Sequence, residues 1–252
     1  MNFAFSEEQV ELRKVAADFL TNKSAEADVR ALMETDEGYD PAVWSQMAEQ
    51  LGLQGLAIPE EYGGSGYSYV ELCVIFEEMG RRLLCAPFFS TVALAANALL
   101  HSGDDDAKAR YLPGIASGET IATVAFTEEN GRWDESGIEM EAAASDEGHT
   151  LTGTKSYVID GHIASLILVA ARTPEGVSLF AVDGDASGLG RTPLSTMDQT
   201  RKQAKLDFDN TPATLIGAAG SGWDTLRTML QLAVVALASE QMGGAQECLD
   251  SA

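Results

Sequence analysis

Cationic residues are scarce in this chain: 16 Lys and Arg stand against 39 Asp and Glu, a formal charge of -23 over 252 residues. A surface of that sign repels phosphate backbones and anionic lipid headgroups, so neither nucleic acid nor a membrane is an expected partner. It also opposes long-range capture of a polyanionic ligand, and a site for one would need local basic groups or backbone N–H donors. Long apolar runs are missing as well; none approaches the roughly 20 residues that span a bilayer. The N-terminal MNFAFSEEQVEL has no basic stretch followed by an apolar one, so no signal peptide is expected. Cysteine is limited to Cys73, Cys85 and Cys248, which cannot all pair and lack metal-type spacing. They read as ordinary buried thiols of a reducing cytoplasm. His101, His149 and His162 share no ligand spacing, so no metal site is expected. No GxxxxGK[ST] loop and no G-x-S-x-G elbow occurs, which sets aside P-loop and serine acyl-transfer chemistry.

What is present changes period along the chain. The first part reads as successive helices. Ser6 with Gln9, and Ser68 with Glu71, form capping-box patterns that open helices of about 15 residues each. Asp40–Pro41 is an N-cap and first-turn pair, and Pro87 opens another helix through Leu100. A weaker helix is expected from about Ser24 to Thr35, and a last one over Asp104 to Ile115, whose aspartates sit where the helix dipole favours negative charge. The glycines and Pro59 of residues 52–68 imply a shaped loop.

From Glu119 the pattern turns to short runs rich in Val, Ile, Thr, Leu and Phe, divided by Gly, Asp, Pro and Asn. About seven strands predict an antiparallel β-domain, a sandwich or barrel, ending near Pro212. Trp223 to Ala252 then reads as one long helix. Displaying Leu226, Leu230, Val234, Leu237 and Met242, it needs partners on more than one side, so residue 252 is expected to be a truncation point or to meet another chain. The expected class is α+β, with a helical region 1–118, a β-region 119–215 and the start of a further helical region 216–252.

Four stretches carry a resemblance. GLQGLAIPEEYGGSGYS (52–68) is similar to the G-x-x-G-L-x-x-P-E-x-Y-G-G-x-G signature of the N-terminal helical domain of acyl-CoA dehydrogenases. KARYLPGIASGE (108–119) resembles that family's link to the next domain, while IATVAFTEENGRWD (121–134) and GTKSYVIDG (153–161) resemble its flavin-facing strands. The resemblance implies an N-terminal helical domain, a middle β-domain and, in the last helix, the first helix of a C-terminal four-helix bundle. It also implies FAD, an acyl-CoA substrate dehydrogenated at its α and β carbons, dimers or tetramers, and electron-transfer flavoprotein as electron acceptor.

Read alone, Thr127 and Glu128 end a strand at a polar turn, and Tyr157 and Ile159 are alternating strand residues. Read through the resemblance, Phe126 and Thr127 meet the flavin edge. The family's P-G-A-G-S-D turn becomes ENGRWDESG, with Glu129 for the proline, Trp133 for the small serine and Asp134 retained. That nominates Trp133 and Asp134 for the acyl-CoA. GTKSYVIDG aligns without gaps with G-x-K-x-W-I-T-N-G, giving Tyr157 for the tryptophan that lies against the flavin and Val158 for the isoleucine. Ile159 takes the place of the threonine, and so removes a side-chain donor to the ring. No catalytic base is nominated: one family position for it falls near Ala233, and Glu240, about two turns on, reads as structural or interface-forming. The substitutions motivate an alternative, a non-catalytic partner subunit of a heteromeric enzyme. A flavin monooxygenase on the same fold is a further one.

Overall fold

The computed structural model describes residues 4–145 and 148–252, so the N-terminal reading begins on residues outside it. Helix α1 (Glu7–Lys23) starts at the Ser6–Gln9 capping box, in which the Ser6 hydroxyl accepts the Gln9 N–H and the Gln9 side chain accepts that of Ser6. Helix α2 (Glu26–Met33) begins later than Ser24. Ser24 instead donates its hydroxyl to the Arg82 carbonyl, and Asp28 reaches back to the Ala25 N–H. Helix α3 (Pro41–Glu49) is capped by Asp40, and α4 (Tyr69–Arg81) by the Ser68–Glu71 box. The loop between them includes a short 3-10 helix, Glu60–Tyr62. Its paired glycines are required: Gly63 has φ +82°, and a Cβ on Gly64 would lie 2.0 Å from the Ile58 carbonyl.

The helix after Pro87 is π-helical over Phe89–Ala96 before it tightens to α over Asn97–Leu100; together they form α5. Helix α6 (Asp105–Ala116) is capped by Asp104, whose other carboxylate oxygen accepts the Gly217 N–H and ties the helix start to the far end of the β-region.

Seven strands follow: β1 (Ala122–Ala125), β2 (Glu141–Ser145), β3 (Gly148–Ile159), β4 (Leu166–Thr173), β5 (Gly176–Asp183), β6 (Leu189–Leu194) and β7 (Gln203–Ile216). Strand β5 pairs with both β7 and β4, and β2 with both β3 and β4, so the sheet closes into a barrel. Most pairings are antiparallel, but β1 runs parallel to β4. All four β1 residues are buried, because the barrel covers one side and α5 the other; Thr91 clasps both the N–H and the carbonyl of Ala122. Pro212, expected near the end of the sheet, sits inside β7 opposite Thr150.

Helix α7 (Gly222–Asp250) lays Leu226, Met229, Ala233 and Ala236 onto the core. It crosses α4 where Gly80 and Gly243 remove side chains: a Cβ on Gly243 would come 1.7 Å from the Glu77 carbonyl, and one on Gly80 1.9 Å from that of Glu240. Val234, Val235, Met242 and Leu249 are exposed on its remaining surface. The cysteines differ from the expectation of three buried thiols. Cys85 is buried, Cys73 half-buried and Cys248 exposed, the last because it lies on the outer face of the final turns of α7.

Candidate functional site

A cavity of about 290 Å³ opens where the ends of β1 and β3, the start of β7, α5 and α7 converge. Phe126, Thr127, Trp133, Tyr157, Val158 and Ile159, each nominated from the sequence, all line it. They come together because the Ser156 N–H donates to the Thr127 carbonyl at 2.9 Å, joining the end of β1 to β3. At that point β3 slips register against β7 between Lys155 and Val158, and Tyr157 adopts φ +57°. The left-handed backbone turns its ring outward, 59% exposed, at a cost of about 1 kcal/mol or more. Trp133 stands edge-on to Phe126, with ring centroids 5.3 Å apart, and forms part of the rim.

Asp134 does not reach the cavity. Its carboxylate accepts the Ser136 N–H at 2.8 Å and starts the short turn Glu135–Gly137. The Ser136 hydroxyl bond is the main reason its pKa lies below the ordinary carboxylate value. The Asp134 carboxylate therefore shapes the turn that carries Trp133.

Beneath the wall lies a buried ion pair that anchors it. Lys155 Nζ sits 2.6 Å from Glu128 Oε1, and the Glu128 carboxylate also accepts the N–H groups of Glu139 and Met140. Burial pulls the Lys155 ammonium below its ordinary pKa, while the bond to Glu128 acts to hold it up.

Polar groups are few. The hydroxyls of Thr127 and Ser156, both on buried residues, have no hydrogen-bond partner among the described residues. Arg201 lies with its guanidinium 4.7 Å over the Phe89 ring and donates through Nη2 to both Glu240 oxygens, at 2.6 and 2.8 Å. Burial acts to lower its pKa, but Glu240, Asp160 and Asp198 outweigh that and hold it above the ordinary value. Glu240 is thus a structural partner, as its sequence position suggested. Behind the wall, Asp160 is buried, accepts the Ser90 hydroxyl at 2.6 Å, and is pushed up by burial to about 6.

Sequence reasoning did not place Ser156 or Gln203 at the site; it reads Arg201 as a salt-bridge or loop residue and Leu230, Val234 and Leu237 as a packing face of the last helix, yet all of them line the cavity. The helical period of α7 offered a signal for its residues, since 230, 234 and 237 share one face. Ala233, where one family position of the base falls, also lines the cavity, and no Asp or Glu does so among the described residues. A larger, more open cleft of about 610 Å³ is lined by Arg110, His149 and Asp183 and includes none of the nominated residues.

Comparison with known proteins gives this arrangement a context. Residues 6–119 match the family model "Acyl-CoA dehydrogenase, N-terminal domain", and residues 123–211 match "Acyl-CoA dehydrogenase, middle domain". The acyl-CoA dehydrogenase IpdE2 of Mycolicibacterium smegmatis is 31% identical over 245 residues, which cover 97% of this chain and 63% of that protein. Among solved structures, a variant of the Tcur3481-Tcur3483 steroid ACAD superposes with a TM-score of 0.85 at 32% identity, covering 97% of this chain and 65% of that one. The ChsE4-ChsE5 complex of Mycobacterium tuberculosis superposes with a TM-score of 0.86 at 25% identity, covering 100% of this chain and 67% of that one. The present chain therefore spans a little under two thirds of the IpdE2 relative's length. Two family models laid end to end over the helical region and the barrel leave one conclusion: this chain belongs to the acyl-CoA dehydrogenase family, whose cofactor is FAD.

Proposed function

We propose that this chain forms the N-terminal helical, middle β and first C-terminal helical parts of an acyl-CoA dehydrogenase that seats its flavin ring in the β1–β3–α7 cavity. The domain limits are those of the sequence reading, 1–118, 119–215 and 216–252. The observation that carries the reading is the convergence of Phe126, Thr127, Tyr157, Val158 and Ile159 on one cavity that also holds two unpartnered hydroxyls. That donor set fits a flat ring with apolar faces and a polar edge. Tyr157 offers an aromatic face, and Thr127 and Ser156 offer hydrogen bonds at the rim.

Bound flavin would accept the hydride that leaves the acyl β-carbon. The chain's own residues orient and dry the site. Trp133 narrows the mouth on the acyl side, with Asp134 holding its turn. Leu94, Leu230 and Leu237 supply an apolar wall for the acyl chain and exclude water. Because no carboxylate lines the cavity among the described residues, the group that removes the α-proton comes from elsewhere in the assembly. The substrate is an acyl-CoA thioester, the electron acceptor an electron-transfer flavoprotein, and the assembly a homo- or hetero-oligomer in the cytoplasm.

A second reading is favoured by Ala233 and Ile159 together: the chain is the partner subunit of a heteromeric enzyme and lends structure to a site completed by a related chain. Two of its structural relatives, the Tcur3481-Tcur3483 steroid ACAD and the ChsE4-ChsE5 complex, carry paired names. Purifying the longest natural form, alone and with a co-expressed homologue, and recording its visible spectrum separates the two. Stoichiometric flavin that bleaches on anaerobic addition of acyl-CoA supports the enzyme reading. A chain that never carries flavin, in either preparation, refutes it.

A further inference from the structure

The rung of the sheet that carries Ile159 has a second member. Ile159 is the last residue of β3, and its partner across the antiparallel ladder is Gln203, the first residue of β7. Directly opposed residues of neighbouring strands project to the same face, and both residues line the cavity. Ile159 presents hydrocarbon. Gln203 presents a carboxamide, half-buried, with no hydrogen-bond partner for its oxygen or its NH2 group among the described residues. A half-buried carboxamide at an open cavity is hydrated, and it can exchange that water for a hydrogen bond to an occupant that covers it.

The neighbouring polar groups do not compete for this role. Arg201 is committed to Glu240 and stacked on Phe89. Thr127 and Ser156 belong to the junction of β1 with the β3 bulge, not to the β3–β7 rung. Gln203 is therefore the side chain on this rung that is free to exchange hydrogen bonds with an occupant.

We propose that Gln203 is a flavin-contacting residue, giving the ring edge above the Ile159–Gln203 rung the hydrogen bond that Ile159 cannot give. The inference rests on the flavin reading of the cavity. A carboxamide suits the task because it both donates and accepts. Its NH2 group can donate to an unprotonated ring nitrogen, and its oxygen can accept from that nitrogen once reduction has protonated it. A single rotation of the amide serves both redox states.

The test uses the longest natural form of the protein, with its partner chain if one co-purifies, stripped of flavin and titrated with FAD by fluorescence quenching. Gln203→Leu should weaken FAD binding about tenfold, the scale of one hydrogen bond lost at a buried site. Adding Ile159→Thr to Gln203→Leu returns a hydroxyl to the same rung and should bring affinity back to within about threefold of the parent. Gln203→Glu, which accepts but does not donate, should lower the midpoint potential of the bound flavin, because a carboxylate opposes the negative charge that reduction adds. Parent-like FAD affinity in Gln203→Leu together with an unchanged potential in Gln203→Glu overturns the proposal. So does a loss in Gln203→Leu that Ile159→Thr fails to rescue while the stripped protein melts early, since the role is then structural. If the parent itself binds no FAD in any preparation, the flavin reading falls and this inference falls with it; if the parent binds and only the variants disagree, the inference alone falls.

Discussion

Lys155 Nζ lies 2.6 Å from Glu128 Oε1, with the lysine wholly shielded from solvent, and the pair joins the segment after β1 to β3 one residue before the bulge. Two charges withdrawn from water repay their desolvation only while both are present. Lys155→Met should destabilise the fold by roughly 3–5 kcal/mol, because it strands the Glu128 carboxylate. Adding Glu128→Gln should recover part of that loss, since a neutral amide oxygen can still accept the N–H groups of Glu139 and Met140. Urea midpoints of the two variants check this; equal stability would show that the charge is not stranded in the single variant.

Asp160 links stability to pH. Its folded-state pKa, about 6, lies above the ordinary 3.8 because burial disfavours the carboxylate. The stability tied to its proton is complete below the unfolded value and is lost as pH rises through about 6, which amounts to about 3 kcal/mol. Asp160→Asn keeps an acceptor for the Ser90 hydroxyl, suits the left-handed φ of +53°, and cannot ionise. The variant should match the parent near pH 4, exceed it increasingly through about pH 6, and keep that margin up to pH 8. A stability difference that stays constant across that range would contradict the assignment.

The α4–α7 crossing tolerates nothing larger than glycine at two positions. Gly243→Ala places a methyl group 1.7 Å from the Glu77 carbonyl, and the helices must part, at a cost of about 2–3 kcal/mol or more. Gly244→Ala is the comparison, since its nearest contact, the Gly80 carbonyl at 3.6 Å, is ordinary packing. In the helix interior that change should stabilise by up to about 1 kcal/mol. Thermal midpoints should therefore move in opposite directions for adjacent residues.

The three thiols should separate in reactivity. Burial pushes the Cys85 thiol up to about 11, so little thiolate forms at neutral pH. A chromogenic disulfide reagent should titrate Cys248 first and Cys73 more slowly, and should reach Cys85 only after denaturation. Uniform labelling of all three in the native protein would show that the α7 end and the Cys85 environment open readily.

Features set by neighbours in sequence were the readable ones. The boxes Ser6–Gln9 and Ser68–Glu71 and the cap at Asp40 lie within one helical turn, so sequence spacing alone announces them. The π-helical turns over Phe89–Ala96 were not legible, because an apolar run such as FSTVALAA has no periodicity that distinguishes i+5 from i+4 bonding. Gln203 was missed for a related reason. Its significance comes from standing opposite Ile159, and register between strands 44 residues apart is a property of the fold. Arg201 and Glu240 likewise meet across 39 positions. Tyr157 was found through its motif, yet its left-handed backbone could not be expected from a residue type that seldom adopts it.

The glycine contact between α4 and α7 also has a mechanical side. Gly243 lies 6 to 13 residues beyond the cavity residues Leu237 and Leu230, or about 9–20 Å along the helix axis. Backbones in direct touch leave no compressible side chain between them, so the crossing acts as a fulcrum and the preceding turns of α7 as a lever arm. A tilt of about 5° about that point carries the far wall by up to about 1.7 Å, close to half the thickness of an aromatic ring. A displacement of that size at Leu230 would widen or narrow the gap available to a flat ligand.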